Sequence, residues 1–135
     1  MSDWNTAVIE EFRANGGQAG GTFEGKPLLL LHHTGARTGT RRVSPLMYQA
    51  VGDHFAIFAS KGGADTNPDW LHNLVAHPET EVEVGSETVA VRARIAAGDE
   101  RERIWTRQKT EWPFFGDYEQ KTSRSHIPVI ILERV

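Results

Sequence analysis

The sequence predicts an α+β fold, mainly β: about six mostly antiparallel strands closed into a small barrel, with helices packed outside. Three observations carry this reading. Apolar stretches of strand length are joined mostly by hairpin turns, whereas a doubly wound parallel sheet needs a helix between every pair of strands. Helical patterns occur at three places only. The 135 residues contain no internal repeat, linker or low-complexity segment, so residues 1–135 are expected to form one domain that buries a core without staples.

Along the chain, Trp4, Val8, Ile9 and Phe12 recur at helical spacing and stop at "NGGQAGG", which predicts a short amphipathic helix running into a glycine loop. "KPLLLLHHT" reads as a buried strand. "RRVSPLMYQAV" and "HFAIFAS" are strands flanking "VGDH", a hairpin turn signal, and Pro45 marks a bulge or a sheet edge. After "SKGGADT", Asn67 as N-cap and Pro68 at the first helical position open "PDWLHNLVAH", which ends before Pro78. "TEVEVGSETVAVRARIAA" is a hairpin about Gly85 and Ser86, and "DERERIWTRQKTEW" is a helix opened by a capping box of Asp99 and Glu102. "IPVIILERV" is the last strand. The predicted order is α-β-β-β-α-β-β-α-β.

Composition removes several kinds of function. Without cysteine there is no disulfide framework, thiolate metal site, iron–sulfur cluster or cysteine nucleophile, which fits a reducing compartment. The start, "MSDWNTAVIEEFRANGG", has acids where a signal peptide needs a basic then apolar run. The longest apolar runs, "PLLLL" and "IPVIIL", fall far short of a membrane span, so the expected location is the cytoplasm.

Near-matches to known motifs fail on their context. "GGTFEGKP" places a lysine as a phosphate-binding P-loop does, but the next residue is Pro27 and a strand follows, where a metal-binding hydroxyl and a helix are required. "GGQAGG" lacks dinucleotide-fingerprint spacing and follows a helix. His32 and His33 point to opposite faces of a strand and His72 and His77 are five apart on a helix, so no metal site is expected. Ser60 has no nucleophile elbow around it.

The charge distribution is more informative. The net charge is −3, yet the segment from Lys26 to Lys61 holds five basic residues against one acid, Asp53. Arg37, Arg41 and Arg42 fall within "GARTGTRR", and a second glycine-rich basic loop, "SKGGAD", leaves the end of the neighbouring strand. Glycines let backbone N–H groups approach an anion while Arg and Lys supply charge, so two such loops point to a phosphorylated or carboxylated ligand. Nucleic acid is disfavoured by the net negative charge.

"TGARTGTRRVSPL", "SKGGADTNPDWLHNL" and "PFFGDYEQKTSRSHIPVIIL" together resemble, in order and spacing, the deazaflavin-dependent nitroreductase family of flavin/deazaflavin oxidoreductases, over about Gly20 to the C-terminus. The resemblance implies a split β-barrel that binds coenzyme F420, a deazaflavin with a phosphate and a polyglutamate tail. It implies hydride transfer from the reduced deazaflavin to an electron-poor small molecule: a quinone, an enone or a nitro compound. FMN in place of the deazaflavin, haem, or coenzyme binding without turnover are the alternatives.

Carried over position by position, the resemblance assigns Arg37, Arg42 and Lys61 to the phosphate or tail, with Arg41 as an extra basic neighbour. Ser60, Gly62, Gly63, Pro68, Trp70 and Asn73 fall where the family lines the deazaflavin and its linker. Periodicity alone would make Trp70 a core residue beside Leu71 and Leu74, and Asn73 a solvated helix position. Trp112, Phe115 and Tyr118 fall on the family's acceptor pocket, and Trp112 and Phe115 stand where its best-known quinone- and nitroimidazole-reducing members have tyrosine, which makes this pocket more apolar. Tyr118 or Ser60 is the expected source of the proton taken up by the reduced acceptor. A monomer or homodimer is expected, touching a membrane only peripherally if the acceptor is a quinone.

Overall fold

The computed structural model describes residues 3–20, 23 and 25–135. The Trp4 side chain and Gly21, Thr22 and Glu24 of "GGTFEGKP" lie outside the described residues. The elements are α1 (Asp3–Ala14), β1 (Leu28–Thr34), β2 (Arg41–Met47), β3 (Gln49–Val51), β4 (His54–Phe58), α2 (Asp69–Ala76), β5 (Glu79–Val84), β6 (Glu87–Ile95), α3 (Gly98–Glu111), α4 (Phe114–Lys121) and β7 (Val129–Arg134). Among the described residues the strands form one antiparallel sheet in the order β2-β1-β5-β6-β7-β4-β3. Its two edge strands, β2 and β3, are consecutive in the chain with only Tyr48 between them. The sheet must therefore curl until its edges meet, which is the split barrel.

The apolar runs follow from this curl, because a barrel strand covered by helices is buried on both faces. Leu29 and Leu31 of β1 enter the barrel core with Phe55, Ile57, Ile130 and Leu132. Leu28 and Leu30 face outward against Val8 and Phe12 of α1. On the opposite wall, Ala56, Phe58, Val129 and Ile131 turn outward beneath Ile104, Trp105 and Phe115 of α3 and α4. Trp70, Leu71 and Leu74 of α2 join the core inside the barrel.

The structure corrects four local expectations. There are seven strands among the described residues because "RRVSPLMYQAV" breaks at Tyr48, whose N–H donates to the Pro27 carbonyl (3.2 Å) as the last step of the β1–β2 pairing before the chain crosses from one edge to the other. Pro45 lies on edge strand β2, where a missing N–H costs no ladder bond. Asn67 does not cap α2: its Oδ1 accepts from Arg124 Nη1 (2.7 Å), and Pro68 holds the cap position. Nor do Asp99 and Glu102 form a capping box, since α3 starts at Gly98 with Ala97 at its cap and Glu102 Oε2 accepts from Arg101 Nη1. The fourth difference is α4, an eight-residue helix after Pro113 that the helical patterns did not include.

Candidate functional site

Two glycine loops and the start of α2 meet around two cavities. The first loop joins β1 to β2 and is closed by Gly35 N–H to Thr40 O (2.8 Å) and Gly39 N–H to Gly35 O (2.9 Å), with Gly39 at φ +71°. The second follows β4. In it Lys61, Gly62 and Gly63 form a single 3-10 turn with φ of +48°, +63° and +84°. Lys61 is the residue other than glycine with positive φ among those described, a conformation that a side chain adopts at a cost.

The second loop is held from outside by the chain leaving α4. Arg124 donates to Ala59 O (2.8 Å), Ser60 O (2.8 Å), Asn67 Oδ1 (2.7 Å) and Thr122 Oγ1 (2.9 Å). Thr122 Oγ1 donates to Ala64 O (2.7 Å), and Ser123 N–H donates to Asp65 Oδ1 (2.8 Å). The Ser123 N–H holds the Asp65 carboxyl below its ordinary range, while burial lowers the Arg124 guanidinium. Gly63 presses so closely on α4 that an added Cβ would lie 3.1 Å from Tyr118 Cα and O.

The first cavity, about 620 Å³, is apolar and opens between β2, the second loop, α2 and α4. Ser60, Lys61, Gly62, Pro68, Trp70, Phe115 and Tyr118 line it, so seven of the candidate positions share one space. Ser60 and Tyr118, the two candidate proton sources, are on the same cavity. Tyr118 stands edge-on to both Phe114 and Phe115, with ring centroids 5.6 Å apart in each pair. Such cavities, apolar with a few converging polar groups, are where small flat ligands bind.

The second cavity, also about 620 Å³, is a cationic groove bearing Arg37, Arg42 and Asn73, with Asp69 as its acid. Asn73 is 6% exposed, against the periodicity reading of a solvated position. Its Oδ1 accepts from Ala36 N–H (2.9 Å), which ties the first loop to α2, and its Nδ2 meets His33 Nδ1 (2.8 Å). His33 Nε2 in turn meets Ser44 Oγ (2.9 Å). Burial, and next the Arg42 guanidinium, pull the His33 imidazole down to about 4.

Arg41, Trp112 and Gly63 line neither cavity, and Lys61 lines only the apolar one. Arg41 alternates with Arg42 on β2 and faces a separate cleft with Arg13 and His32, its Nη2 3.9 Å from Glu81 Oε1. Trp112 packs on Phe114 (centroids 6.5 Å) behind the apolar cavity and is not part of its lining. Lys61 lines the apolar cavity, apart from the groove of Arg37 and Arg42, and its Nζ bonds Thr66 Oγ1 (3.2 Å).

Residues not singled out from the sequence complete the walls. Ser44 and Met47 reach the apolar cavity from edge strand β2, Phe114 from α4, and Lys26 stands 5.3 Å over the Phe114 ring. Only the place of β2 at the sheet edge exposes Ser44 and Met47 to this space, and Arg124 lies 64 residues beyond Ser60, so neither had a local signal. Among the described residues no group of three or more His, Cys, Asp or Glu could hold a metal.

The sequence model of the family described as F420H(2)-dependent quinone reductase matches residues 4–134. An F420H(2)-dependent quinone reductase of Mycobacterium tuberculosis is 37% identical over 127 residues, covering 91% of this chain and 85% of that protein. A solved F420-H2 dependent reductase (FDR-A) superposes with a TM-score of 0.71 at 36% identity, covering 79% of this chain and 94% of its own. A solved chain described as a domain-swapped dimer gives 0.74 at 34% identity over 97% and 98% of the two chains. With a barrel that carries an apolar aromatic cavity beside an arginine groove, and a family match across nearly its whole length, the chain belongs to the F420H(2)-dependent quinone reductase family, as a coenzyme F420-dependent oxidoreductase.

Proposed function

We propose that the protein reduces a quinone-type acceptor at the apolar cavity, with the coenzyme tail and phosphate held in the arginine groove; enones and nitro compounds are the further acceptors to which the site is suited. One observation carries this reading. The two cavities are built on the same elements, β2 and the start of α2, with Arg42 and Asp69 on one and Ser44 and Pro68 on the other. A ligand with a flat ring and a polyanionic tail needs such a pairing: apolar walls at one end and fixed cations at the other.

The bound reduced coenzyme supplies the hydride, and the protein's own part is to orient, desolvate and deliver a proton. Trp70 and Pro68 provide apolar wall for the ring, and Gly62, with no Cβ, lets the backbone approach it. Gly63 allows α4 to close on the loop. Phe114 and Phe115 exclude water from the acceptor. Tyr118 or Ser60 gives the proton that the reduced acceptor takes up. Arg37 and Arg42 bind the tail, Lys61 the phosphate at the cavity rim, and Asn73 fixes the loop that carries Arg37. Arg41 and Trp112 act one layer out, on the tail's approach and behind the acceptor wall.

The relative described as a domain-swapped dimer supports a homodimer. Among the described residues no helix is long and apolar enough to cross a membrane, so a membrane-dissolved quinone would be met at the surface. The test is titration with reduced and oxidised coenzyme F420 and with FMN, followed by a screen of quinones, enones and nitro compounds. Tighter binding of the deazaflavin, with an affinity that falls more steeply with salt than that of FMN, is expected. Equal affinities and equal salt slopes would turn the reading to FMN.

A further inference from the structure

We propose that His33 fixes the direction of the Ser44 hydroxyl and so makes Ser44 a standing hydrogen-bond donor into the apolar cavity, at the end of a polar chain that starts in the arginine groove. The proposal rests on the reading of that cavity as the ring site.

The direction of every bond in the chain follows from its first member. Ala36 N–H is a backbone group and can only donate, so the Asn73 atom 2.9 Å away must be the amide oxygen. The Asn73 NH2 then faces His33 Nδ1 at 2.8 Å, and a donor there requires Nδ1 to be the bare nitrogen. The ring proton is consequently on Nε2, which donates to Ser44 Oγ at 2.9 Å. With its oxygen engaged as an acceptor, the serine retains one hydrogen to give, and Ser44 lines the apolar cavity.

Protonation of His33 would set a second N–H against the Asn73 amide. Burial at 4% exposure opposes it as well, as does Arg42, directly across the β1–β2 ladder. The other charged and titratable groups acting on the ring are Asp69 on α2, which favours the proton, and His32 on its own strand, which opposes it. His33 is therefore a positioning residue: it reaches the ligand only through Ser44. An acceptor atom on the ring's edge, such as a carbonyl oxygen, is the complementary group. A hydroxyl whose hydrogen is already aimed loses little orientational freedom on binding.

Two measurements test this. The first uses the protein alone, labelled with nitrogen-15 histidine: the His33 signals at neutral pH should show the neutral Nε2–H tautomer, and the Nδ1–H tautomer or an imidazolium would overturn the chain. The second is fluorescence titration with coenzyme F420. Ser44→Ala and His33→Phe should each weaken binding by about 3- to 10-fold, the span of one neutral hydrogen bond, and the double variant should bind no more weakly than the worse single one. His33→Gln, which offers an amide donor near the Nε2 position, should recover affinity to within about 2-fold of the wild type, which replacement of a purely packing ring would not do. Independent, multiplying losses would overturn the proposal, and so would unchanged affinity in Ser44→Ala, a result that stands even if His33→Phe does not fold. Failure of the wild-type protein to bind the coenzyme would instead overturn the ring-site reading, and the tautomer result would still decide the direction of the chain.

Discussion

Replacing Arg124 by Met tests whether the second glycine loop is held from outside. The side chain makes four donor contacts of 2.7–2.9 Å, and three of them, to Ala59 O, Ser60 O and Asn67 Oδ1, reach the loop and the residue before the Pro68 cap of α2. A hydrogen bond from a charged group contributes about 1.5–3 kcal/mol in isolation, but the contacts share one guanidinium and are half-buried, so water replaces part of the loss. We expect about 2–4 kcal/mol of destabilisation, which for a domain of this size lowers Tm by roughly 6–15 °C. Part of the loss should appear as loop opening before global unfolding, because the freed carbonyls lie on the segment that carries Lys61. Coenzyme affinity then falls with the fraction of closed loop, by about 10-fold. Arg124→Lys keeps the charge without the fork and should lie between the two. The measurements are a thermal melt and a coenzyme titration on the three proteins; a Tm within about 2 °C of the wild type together with an unchanged dissociation constant would refute the clamp.

Arg42→Ala and Arg37→Ala should each raise the dissociation constant of coenzyme F420 about 10-fold and flatten its salt dependence, whereas Arg41→Ala, which faces Glu81 in another cleft, should change it by less than about 3-fold. Tyr118→Phe should lower turnover while leaving coenzyme affinity within about 2-fold, by steady-state kinetics and titration on the same preparation. Phe114→Ala, which removes cavity wall, should raise the Michaelis constant for bulky quinones by about 10-fold, and Trp112→Ala, behind that wall, by less. Because His33 takes up a proton less readily folded than unfolded, stability should fall as pH drops from about 6.5 to about 4 and then level off. That contribution, about 1–3 kcal/mol after solvent screening, should be missing from the pH series of denaturant melts of His33→Gln.

Much of this protein was legible in its one-dimensional order. Hairpin turns at "VGDH" and Gly85–Ser86 fall where the strands pair, since two-residue turns with glycine depend on local backbone geometry alone. The antiparallel class, the helix at "PDWLHNLVA" and the two basic glycine loops are local in the same sense, and the family resemblance rests on three blocks, each continuous in the chain. Capping was misjudged where a distant group competed: Asn67 looked like a cap until Arg124, 57 residues on, took its oxygen. Helix α4 was missed because its apolar face is built for the barrel wall at Phe58, a partner far away in sequence.

Which arginine serves the groove was likewise settled by three dimensions. Arg41 and Arg42 are equivalent as letters, but both border the cleft of Arg13 and His32 and only Arg42 also lines the groove that holds Arg37. The sequence by itself determined the fold class, the strand faces and the charge of the two loops, because those depend on the period of side chains along one segment. Only the curl of the sheet, which brings edge strand β2 against α2 and α4, decided that Ser44, Trp70 and Tyr118 share one cavity and that Asn73 is buried between the first loop and His33 of β1. Closure of the barrel is a property of strand pairings more than fifty residues apart in the chain, such as Leu31 with Val82 and Phe55 with Leu132, and no short window along the chain contains both partners' surroundings.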